Sequence, residues 1–185
     1  IGSQITEIGP YLDALERLLD LVESVEAHGI AIPHLDLGGG LGITYTDEQP
    51  PAAETLVRTL LDRIDMRGHA HRKILLEPGR SLVGNAGVLV SEVLYLKPGD
   101  QKNFCVVDAA MNDLIRPTLY EAYHDIWPVE EAKSEMAPVQ QDIVGPVCET
   151  GDFLAEDRAL PPFAPDDLMA VMTAGAYGAV MSSTY

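Results

Sequence analysis

The sequence predicts an α/β region followed by an all-β domain, and two patterns carry this prediction. In the first half, two amphipathic helical patterns alternate with short apolar runs, an order typical of βα units and a parallel sheet. After about residue 87, β-rich runs such as GVLVSEVLYL and NFCVVDA follow one another between Pro, Gly and Asp. No long amphipathic helix interrupts them, which favours an antiparallel β domain. The predicted domains are residues 1–86 and 87–185.

The elements of the first region follow from local periodicity. The first helix begins near Pro10, which suits a first helical position, and ends before Gly29. Its apolar residues recur at steps of three and four: Tyr11, Leu15, Leu18, Val22 and Val25. The run IPHLDL predicts a strand, residues 52–67 a second helix with Leu56, Leu60 and Ile64 on one face, and KILLE another strand.

Composition excludes several classes of partner. With 185 residues, 46% of them hydrophobic, the chain can bury a real core. A formal net charge of -17 and a pI near 4.4 argue against nucleic acid or an anionic membrane as the main partner. The two cysteines and five histidines have no metal-ligand spacing, so no metal site is predicted. A reducing, cytoplasmic location is expected, since there is no membrane-spanning run and no signal peptide.

The two ends of the sequence suggest a partial chain. It begins IGSQ without methionine, and it closes on VMSSTY without a turn or a helix-stop signal. We therefore expect a piece of a longer protein.

Two motifs lie at predicted strand ends, where α/β proteins place their active sites. One is LDLGGGLG, with Gly38, Gly39 and Gly40, and the other is LLEPGR, with Glu77 and Arg80. Three successive glycines indicate either a tight structural turn or backbone N–H groups that cradle a phosphate. No Gly-Lys-Ser/Thr follows and no G-x-G-x-x-G is present, so neither a P-loop nor a dinucleotide fingerprint is predicted.

Six ordered blocks carry a resemblance to a known family. They are IGSQ, LDLGGGLGI, LLEPGRSLV, VDAAMNDLIRPTLY, GPVCETGD and AGAY. Along essentially the whole chain, these blocks resemble the pyridoxal-phosphate-dependent diaminopimelate decarboxylases. The resemblance implies the C-terminal part of a (β/α)8 TIM-like barrel of the alanine racemase type, followed by a β-barrel or β-sandwich domain.

The resemblance also implies residue roles around the cofactor pyridoxal 5'-phosphate. Cofactor contacts fall on Ser3, Gly38, Gly39, Gly40, Glu77, Gly79, Arg80 and Tyr177. The glycines and Ser3 would hold the phosphate, and Glu77 would face the pyridine nitrogen. From the residues alone, Ser3 is equally an ordinary loop or capping residue, and the less favoured alternative for Glu77 is a surface carboxylate at a strand end.

The implied substrate contacts lie mostly in the second domain. They are Arg80, Arg116, Tyr120, Glu149 and Tyr177. The four-residue spacing of Arg116 and Tyr120 places them on one face if the segment is helical. Without the resemblance, Tyr120 reads as a core residue and Arg116 as a surface ion-pair residue.

The two cysteines receive different predictions. Cys105, inside FCVVD, is expected to be a small buried hydrophobe. By resemblance, Cys148 is the catalytic proton donor after CO2 loss, and Glu149 receives the distal ammonium of the substrate. The family's Cys148 loop reaches into a neighbouring subunit's site, which implies a homodimer.

The function implied is decarboxylation of meso-2,6-diaminopimelate to L-lysine, the last step of lysine biosynthesis. The alternatives are a related decarboxylase of ornithine, arginine or carboxynorspermidine, and a non-catalytic regulatory relative. The family's Schiff-base lysine is expected upstream of residue 1, because Lys73, Lys97, Lys102 and Lys133 stand in other contexts. This chain alone is therefore not expected to turn over.

Overall fold

The computed structural model describes residues 1–185, which form two compact units, Ile1–Leu82 and Val83–Tyr185. The sequence predicts a boundary near residue 87. The structural boundary falls slightly earlier, within the short helix α3 (Gly79–Val83), which a 3-10 turn (Gly84–Ala86) follows.

The first unit has the predicted alternation of helices and strands. Its elements are α1 (Gly9–Glu26), β1 (His34–Asp36), α2 (Ala53–Met66) and β2 (Lys73–Leu75). The two strands pair in parallel, with Leu35 opposite Ile74. The prediction of a parallel βα arrangement is therefore confirmed for these elements.

The core of the first unit is formed by the apolar stripes of α1 and α2. Its buried side chains include Tyr11, Leu15, Leu19, Val22, Leu35, Leu56, Leu60 and Ile64. Leu19 is 0% exposed, whereas Leu18 is only partly buried. Tyr11, Leu15 and Val22 are buried as predicted, and Leu19 takes the buried position predicted for Leu18. Each fully buried leucine stabilises the unit by about 1.5–3 kcal/mol.

The second unit is built on one six-stranded sheet. Its strands are β3 (Leu89–Lys97), β4 (Phe104–Val107), β5 (Ile126–Pro128), β6 (Val139–Val144), β7 (Phe153–Leu160) and β8 (Leu168–Val171). The remaining elements are helix α4 (Arg116–Tyr120) and 3-10 turns at Glu131–Glu135 and Ala179–Met181. The strand order is β5-β8-β3-β4-β6-β7.

One pairing corrects the prediction of an antiparallel domain. Strands β4 and β6 are parallel, with Cys105 opposite Ile143, while the other pairings in this sheet are antiparallel. A parallel pair needs a long crossover. Residues 108–138, which include α4 and β5, provide one and bring the chain back in the same direction.

The inner face of this sheet forms the second core. It includes Val93, Cys105, Val107, Leu114, Ile126, Ile143, Leu154, Met169 and Val171. Cys105 is free and 0% exposed, as predicted, and burial raises the pKa of its thiol to about 12. No helix of the protein is both long enough and apolar enough to cross a membrane.

Candidate active site

The predicted site residues fall into two clusters, one in each unit. We call the first the strand-end cluster, formed by Ser3, Gly38–Gly40 and Glu77–Arg80. The glycines follow β1 and the Glu77 segment follows β2, so parallel pairing brings both to one edge of the sheet. The N–H of Glu77 donates to the carbonyl oxygen of Gly38 at 2.8 Å, which fixes the two segments together.

The structure gives a local reason for the three glycines. Gly38 and Gly40 have φ of +70° and +96°, in the left-handed region that other residues avoid. A Cβ on Gly39 would lie 1.9 Å from the carbonyl oxygen of Glu77, and one on Gly40 would lie 2.5 Å from that of Gly2. Close approach by the chain's own backbone therefore requires glycine here, as the tight-turn interpretation states.

The same turn leaves backbone donors available. The N–H of Gly38 donates to Asp36 Oδ1 at 2.8 Å, but the N–H groups of Gly39 and Gly40 donate no hydrogen bond within the chain. Position 38 also has open space where a Cβ would stand. The turn therefore combines a rigid backbone with two adjacent N–H groups able to bind an anion.

Arg80 joins Ser3 to the cluster. Its Nη2 donates to Ser3 Oγ at 2.9 Å, and its Nη1 donates to the hydroxyl of Tyr45. The guanidinium carbon lies 5.7 Å from the centroid of the Tyr45 ring. The side chain of Glu77 is exposed and accepts no hydrogen bond from the chain, and Gly79 is exposed as well. Two hydroxyls, a cation and a carboxylate thus border the glycine turn.

A cavity of about 340 Å³ lies within the first unit. It is lined by Ile1, Tyr11, Ala14, Leu15, Leu18, Asp36, Leu37, Gly38 and Leu60. Because Gly38 and Asp36 belong to its wall, the cavity opens beside the strand-end cluster.

The second cluster begins at α4, where the predicted helical turn is confirmed. Arg116 is 7% exposed and donates from Nη1 to His124 Nε2 at 2.9 Å, whereas Tyr120 is 61% exposed. The two residues stand four positions apart in one helix, as expected for a shared face, but only Arg116 is buried. Arg116 stands at the first position of a helix of only five residues and is drawn inward by His124.

His124 is held as a neutral ring by its two partners. Its Nδ1 donates to the carbonyl oxygen of Met172 at 2.8 Å, so Nε2 keeps the lone pair that accepts from Arg116. Burial lowers the pKa of His124, and the charges of Arg116 and Arg158 lower it further. The hydrogen bond to the Met172 carbonyl acts in the opposite direction but does not cancel these effects. A proton on Nε2 would break the bond that orients Arg116.

This geometry predicts an acid-sensitive second unit. The unfolded ring titrates near 6.5, the folded ring at lower pH, so the unfolded state binds more protons between the two values. The contribution of the neutral His124 ring to the free energy of unfolding is fully present above about pH 6.5. It is lost as the pH falls through the pKa of the folded state. We expect the thermal unfolding midpoint to be lower at pH 5 than at pH 7. Each kcal/mol of unfolding free energy that is lost should lower the midpoint by about 2–4 °C.

Two substitutions make this prediction specific. His124→Asn should lower the midpoint at pH 7 and flatten its dependence on pH, because the titrating ring is gone. The same change at His28, an exposed ring, should leave the slope as it was. Equal slopes in wild type and His124→Asn would show that other groups cause the acid sensitivity.

The remaining predicted residues of this unit lie on loops. Cys148 is free and exposed, and Glu149 is exposed, its Oε2 accepting a hydrogen bond from the Tyr185 hydroxyl at 3.0 Å. The Thr118 hydroxyl, on α4, donates to the carbonyl oxygen of Gly151. The loop that carries Cys148 and Glu149 is thus tied to the helix that carries Arg116 and Tyr120.

Tyr177 has an unusual backbone conformation. Its φ is +59° and its side chain is 40% exposed. A bulky residue in the left-handed region is strained, and such strain clusters at functional sites. Five other non-glycine residues share this conformation, namely Gln4, Glu121, Asp157, Asp166 and Thr173, so it marks Tyr177 only together with the AGAY motif.

Sequence reasoning missed Tyr45, His124 and Tyr185, which contact Arg80, Arg116 and Glu149. No spacing or motif marks any of the three, since each lies far along the chain from its partner or outside a regular element. No group of three or more His, Cys, Asp or Glu side chains is arranged to hold a metal ion.

Comparisons with known proteins identify the family of the chain. The family model described as "Pyridoxal-dependent decarboxylase, C-terminal sheet domain" matches residues 12–175. A diaminopimelate decarboxylase from Pseudomonas aeruginosa is 56% identical over all 185 residues, which cover 43% of that protein. The chain thus spans less than half the length of this curated relative.

Solved structures give the same result. The structure of diaminopimelate decarboxylase from Helicobacter pylori, complexed with L-lysine, superposes with a TM-score of 0.89 at 38% identity. The match covers 100% of this chain and 45% of that one. A lysine/ornithine decarboxylase from Vibrio vulnificus is 23% identical, with a TM-score of 0.86 over 100% of this chain and 49% of its own, and shares the fold. This chain belongs to the family of pyridoxal-dependent decarboxylases.

Proposed function

We propose that the protein to which this chain belongs is a diaminopimelate decarboxylase, which converts meso-2,6-diaminopimelate to L-lysine and CO2. The observation that carries the proposal is the match along the whole chain, at 56% identity, to a relative of that name. The more distant lysine/ornithine decarboxylase is only 23% identical. In this proposal, the first unit is the C-terminal part of a (β/α)8 barrel, and the second is the β domain.

The strand-end cluster fits the phosphate of pyridoxal 5'-phosphate. The N–H groups of Gly39 and Gly40 donate to nothing in the chain, and Ser3 and Arg80 add a hydroxyl and a positive charge within the same cluster. The chain has a net charge of -17, so its surface as a whole does not favour anions. The local donors of this cluster would bind the phosphate instead. When bound, the cofactor supplies an electron sink for the pair left at Cα when the carboxylate departs as CO2.

Glu77 and Arg80 have distinct roles in this proposal. The exposed carboxylate of Glu77 would keep a proton on the pyridine nitrogen and so favour electron withdrawal. The planar guanidinium of Arg80 would orient a carboxylate or phosphate oxygen, with Tyr45 and Ser3 holding its two Nη atoms.

The second unit supplies the distal pocket and the proton. Arg116, held by His124, would bind the distal carboxylate of the substrate, and Glu149 would bind the distal ammonium. The exposed aromatic rings of Tyr120 and Tyr177 would line the substrate. The Sγ–H of Cys148 would deliver its proton to Cα, where it replaces CO2, and the thiolate would regain a proton from solvent.

We further propose that the intact enzyme is a homodimer in which the Cys148 loop serves the neighbouring subunit. The thiol and Glu149 are both exposed on this chain, which supports a role toward a second subunit.

Substrate choice tests the proposed function. Because a site built to pair two distal charges leaves them unpaired with a simpler substrate, we expect the intact enzyme to discriminate strongly. Its kcat/KM for meso-2,6-diaminopimelate should exceed that for ornithine, arginine or lysine by about 10⁴. Arg116→Lys keeps the charge but loses the planar fork, and it should reduce this ratio mainly through KM. Comparable kcat/KM for ornithine and meso-2,6-diaminopimelate would instead assign the protein to the polyamine branch.

A further inference from the structure

Asp152 is a buried carboxylate whose two oxygens both accept backbone hydrogen bonds. The residue is only 4% exposed. Oδ1 accepts the N–H of Met111 at 2.7 Å, and Oδ2 accepts the N–H of Val147 at 2.7 Å. Its own N–H donates to the carbonyl oxygen of Glu149 at 3.1 Å, and its carbonyl oxygen accepts from Gly145 at 3.2 Å. No cation accompanies this carboxylate, so its hydrogen bonds are directed wholly at the backbone.

These bonds join the two segments that carry the distal candidates. Val147 directly precedes Cys148 and Glu149, while Met111 lies in the turn that leads into α4 and Arg116. The bond from the Thr118 hydroxyl to the Gly151 carbonyl is a second tie between the same segments. A displacement of either segment would therefore be resisted at two points.

Two glycines show how closely the segments are packed. A Cβ on Gly145 would lie 2.5 and 2.6 Å from the two carboxylate oxygens of Asp152 and 2.7 Å from the carbonyl oxygen of Ala109. A Cβ on Gly151 would lie 2.7 Å from Thr118 Cγ2. The backbone of the Cys148 loop is thus fitted around the Asp152 carboxylate, with no room for larger residues.

We propose that Asp152 is a positioning residue, which fixes the Cys148–Glu149 segment against the turn that precedes Arg116. The inference rests on the proposed function for its catalytic consequence, but the contacts themselves do not depend on it. A carboxylate offers acceptors on both oxygens, as the two N–H groups require. An asparagine offers one acceptor oxygen and an NH2 group, which would meet one of those N–H groups donor to donor.

The experiment compares Asp152→Asn with Asp142→Asn in the intact enzyme. Asp142 is a matched control: it is also 4% exposed in the second unit, and it accepts from Lys102 Nζ at 2.8 Å and from the N–H of Asp157 at 2.7 Å. Hydrogen exchange is followed on peptides that contain Met111 and Val147. We expect about tenfold faster exchange at one or both in Asp152→Asn and no change there in Asp142→Asn. Unchanged exchange at both amides in Asp152→Asn would overturn the proposal.

Cys148 provides a second readout that needs no turnover. In Asp152→Asn, we expect the alkylation rate of the Cys148 peptide by iodoacetamide to change at least threefold, with its value in Asp142→Asn unchanged. The kcat for meso-2,6-diaminopimelate should fall at least tenfold in Asp152→Asn alone. Faster exchange with unaltered alkylation and kcat would overturn the positioning role and leave the decarboxylase assignment standing. An intact enzyme that does not decarboxylate this substrate would refute the assignment, while exchange and alkylation still decide on Asp152.

A milder variant keeps the proposal testable if Asp152→Asn fails to fold. Thr118→Val removes only the hydroxyl of the second tie. It should change the alkylation of Cys148 in the same direction as Asp152→Asn, by a smaller factor. Wild-type alkylation and wild-type exchange at Val147 in Thr118→Val would show that the two segments are not held against each other, and would overturn the proposal.

Discussion

Replacing Glu77 by alanine in the intact enzyme is expected to lower kcat about 10²-fold, with a much smaller change in the affinity for pyridoxal 5'-phosphate. The reason is that a carboxylate aimed at developing charge acts mainly on the transition state, where removal of one such group typically costs about 10²–10³ in rate. The proposed phosphate contacts of Ser3, Arg80 and the glycine turn would remain, so we expect cofactor binding to be retained. Turnover is measured by CO2 release, and cofactor affinity by equilibrium titration.

The structure indicates why this substitution is clean. The backbone of Glu77, through its N–H bond to Gly38, holds the turn, while its side chain is exposed and makes no hydrogen bond. Alanine therefore removes the charge without removing a structural contact. Glu77→Gln should behave like alanine, and Glu7→Ala, at another exposed carboxylate of the first unit, should leave kcat unchanged. A Glu77→Ala enzyme within twofold of wild type would mean that the carboxylate does not serve the pyridine nitrogen.

The first unit was predictable because its elements are specified locally. Apolar spacing on α1 and α2 determines which face is buried, and Pro10 and Gly29 mark the bounds of the first helix. A one-residue error, Leu18 for Leu19, arises because both fit a stripe with steps of three and four. Packing against the rest of the core, which includes residues of α2 and β1, decides between them.

The parallel pair of β4 and β6 was not predictable in the same way. Each strand reads as an apolar run that would suit either direction, and the direction is set by the path of residues 108–138. That path depends on contacts distant in sequence, among them the bond from Met111 to Asp152. Local sequence patterns do not predict these long-range contacts.

The candidate site divides along the same line. Residues that would touch the cofactor or the substrate, such as Glu77 and Cys148, stand in blocks whose order and composition carry the resemblance. Residues that contact or position the candidates, such as Tyr45, His124 and Asp152, act through one or two hydrogen bonds to partners that tertiary structure brings near. Asp152 belongs to the block GPVCETGD, yet only its burial and its two N–H partners indicate a positioning role.

A mixture of two inactive variants of the intact enzyme is expected to recover about a quarter of wild-type activity if Cys148 acts in trans. One variant lacks the cofactor-anchoring lysine, and the other is Cys148→Ala. After free exchange of equal amounts, about half the dimers are mixed, and each mixed dimer has one complete site and one that lacks both groups. Decarboxylation is measured before and after an exchange step, and exchange itself is verified with differently tagged subunits.

The expected gain must be separated from the activity of the parents. Loss of a general acid typically costs about 10² to 10⁴ in rate, so Cys148→Ala should retain a trace in which water protonates Cα slowly. That trace is at most about a hundredth of wild type, far below a quarter, and can be subtracted. Cys105→Ala, mixed with the same lysine variant, shows whether loss of the other thiol affects activity through folding, because Cys105 is buried in the core. If tagged subunits exchange while activity stays at the sum of the parents, Cys148 serves its own subunit, because a mixed dimer then has no complete site.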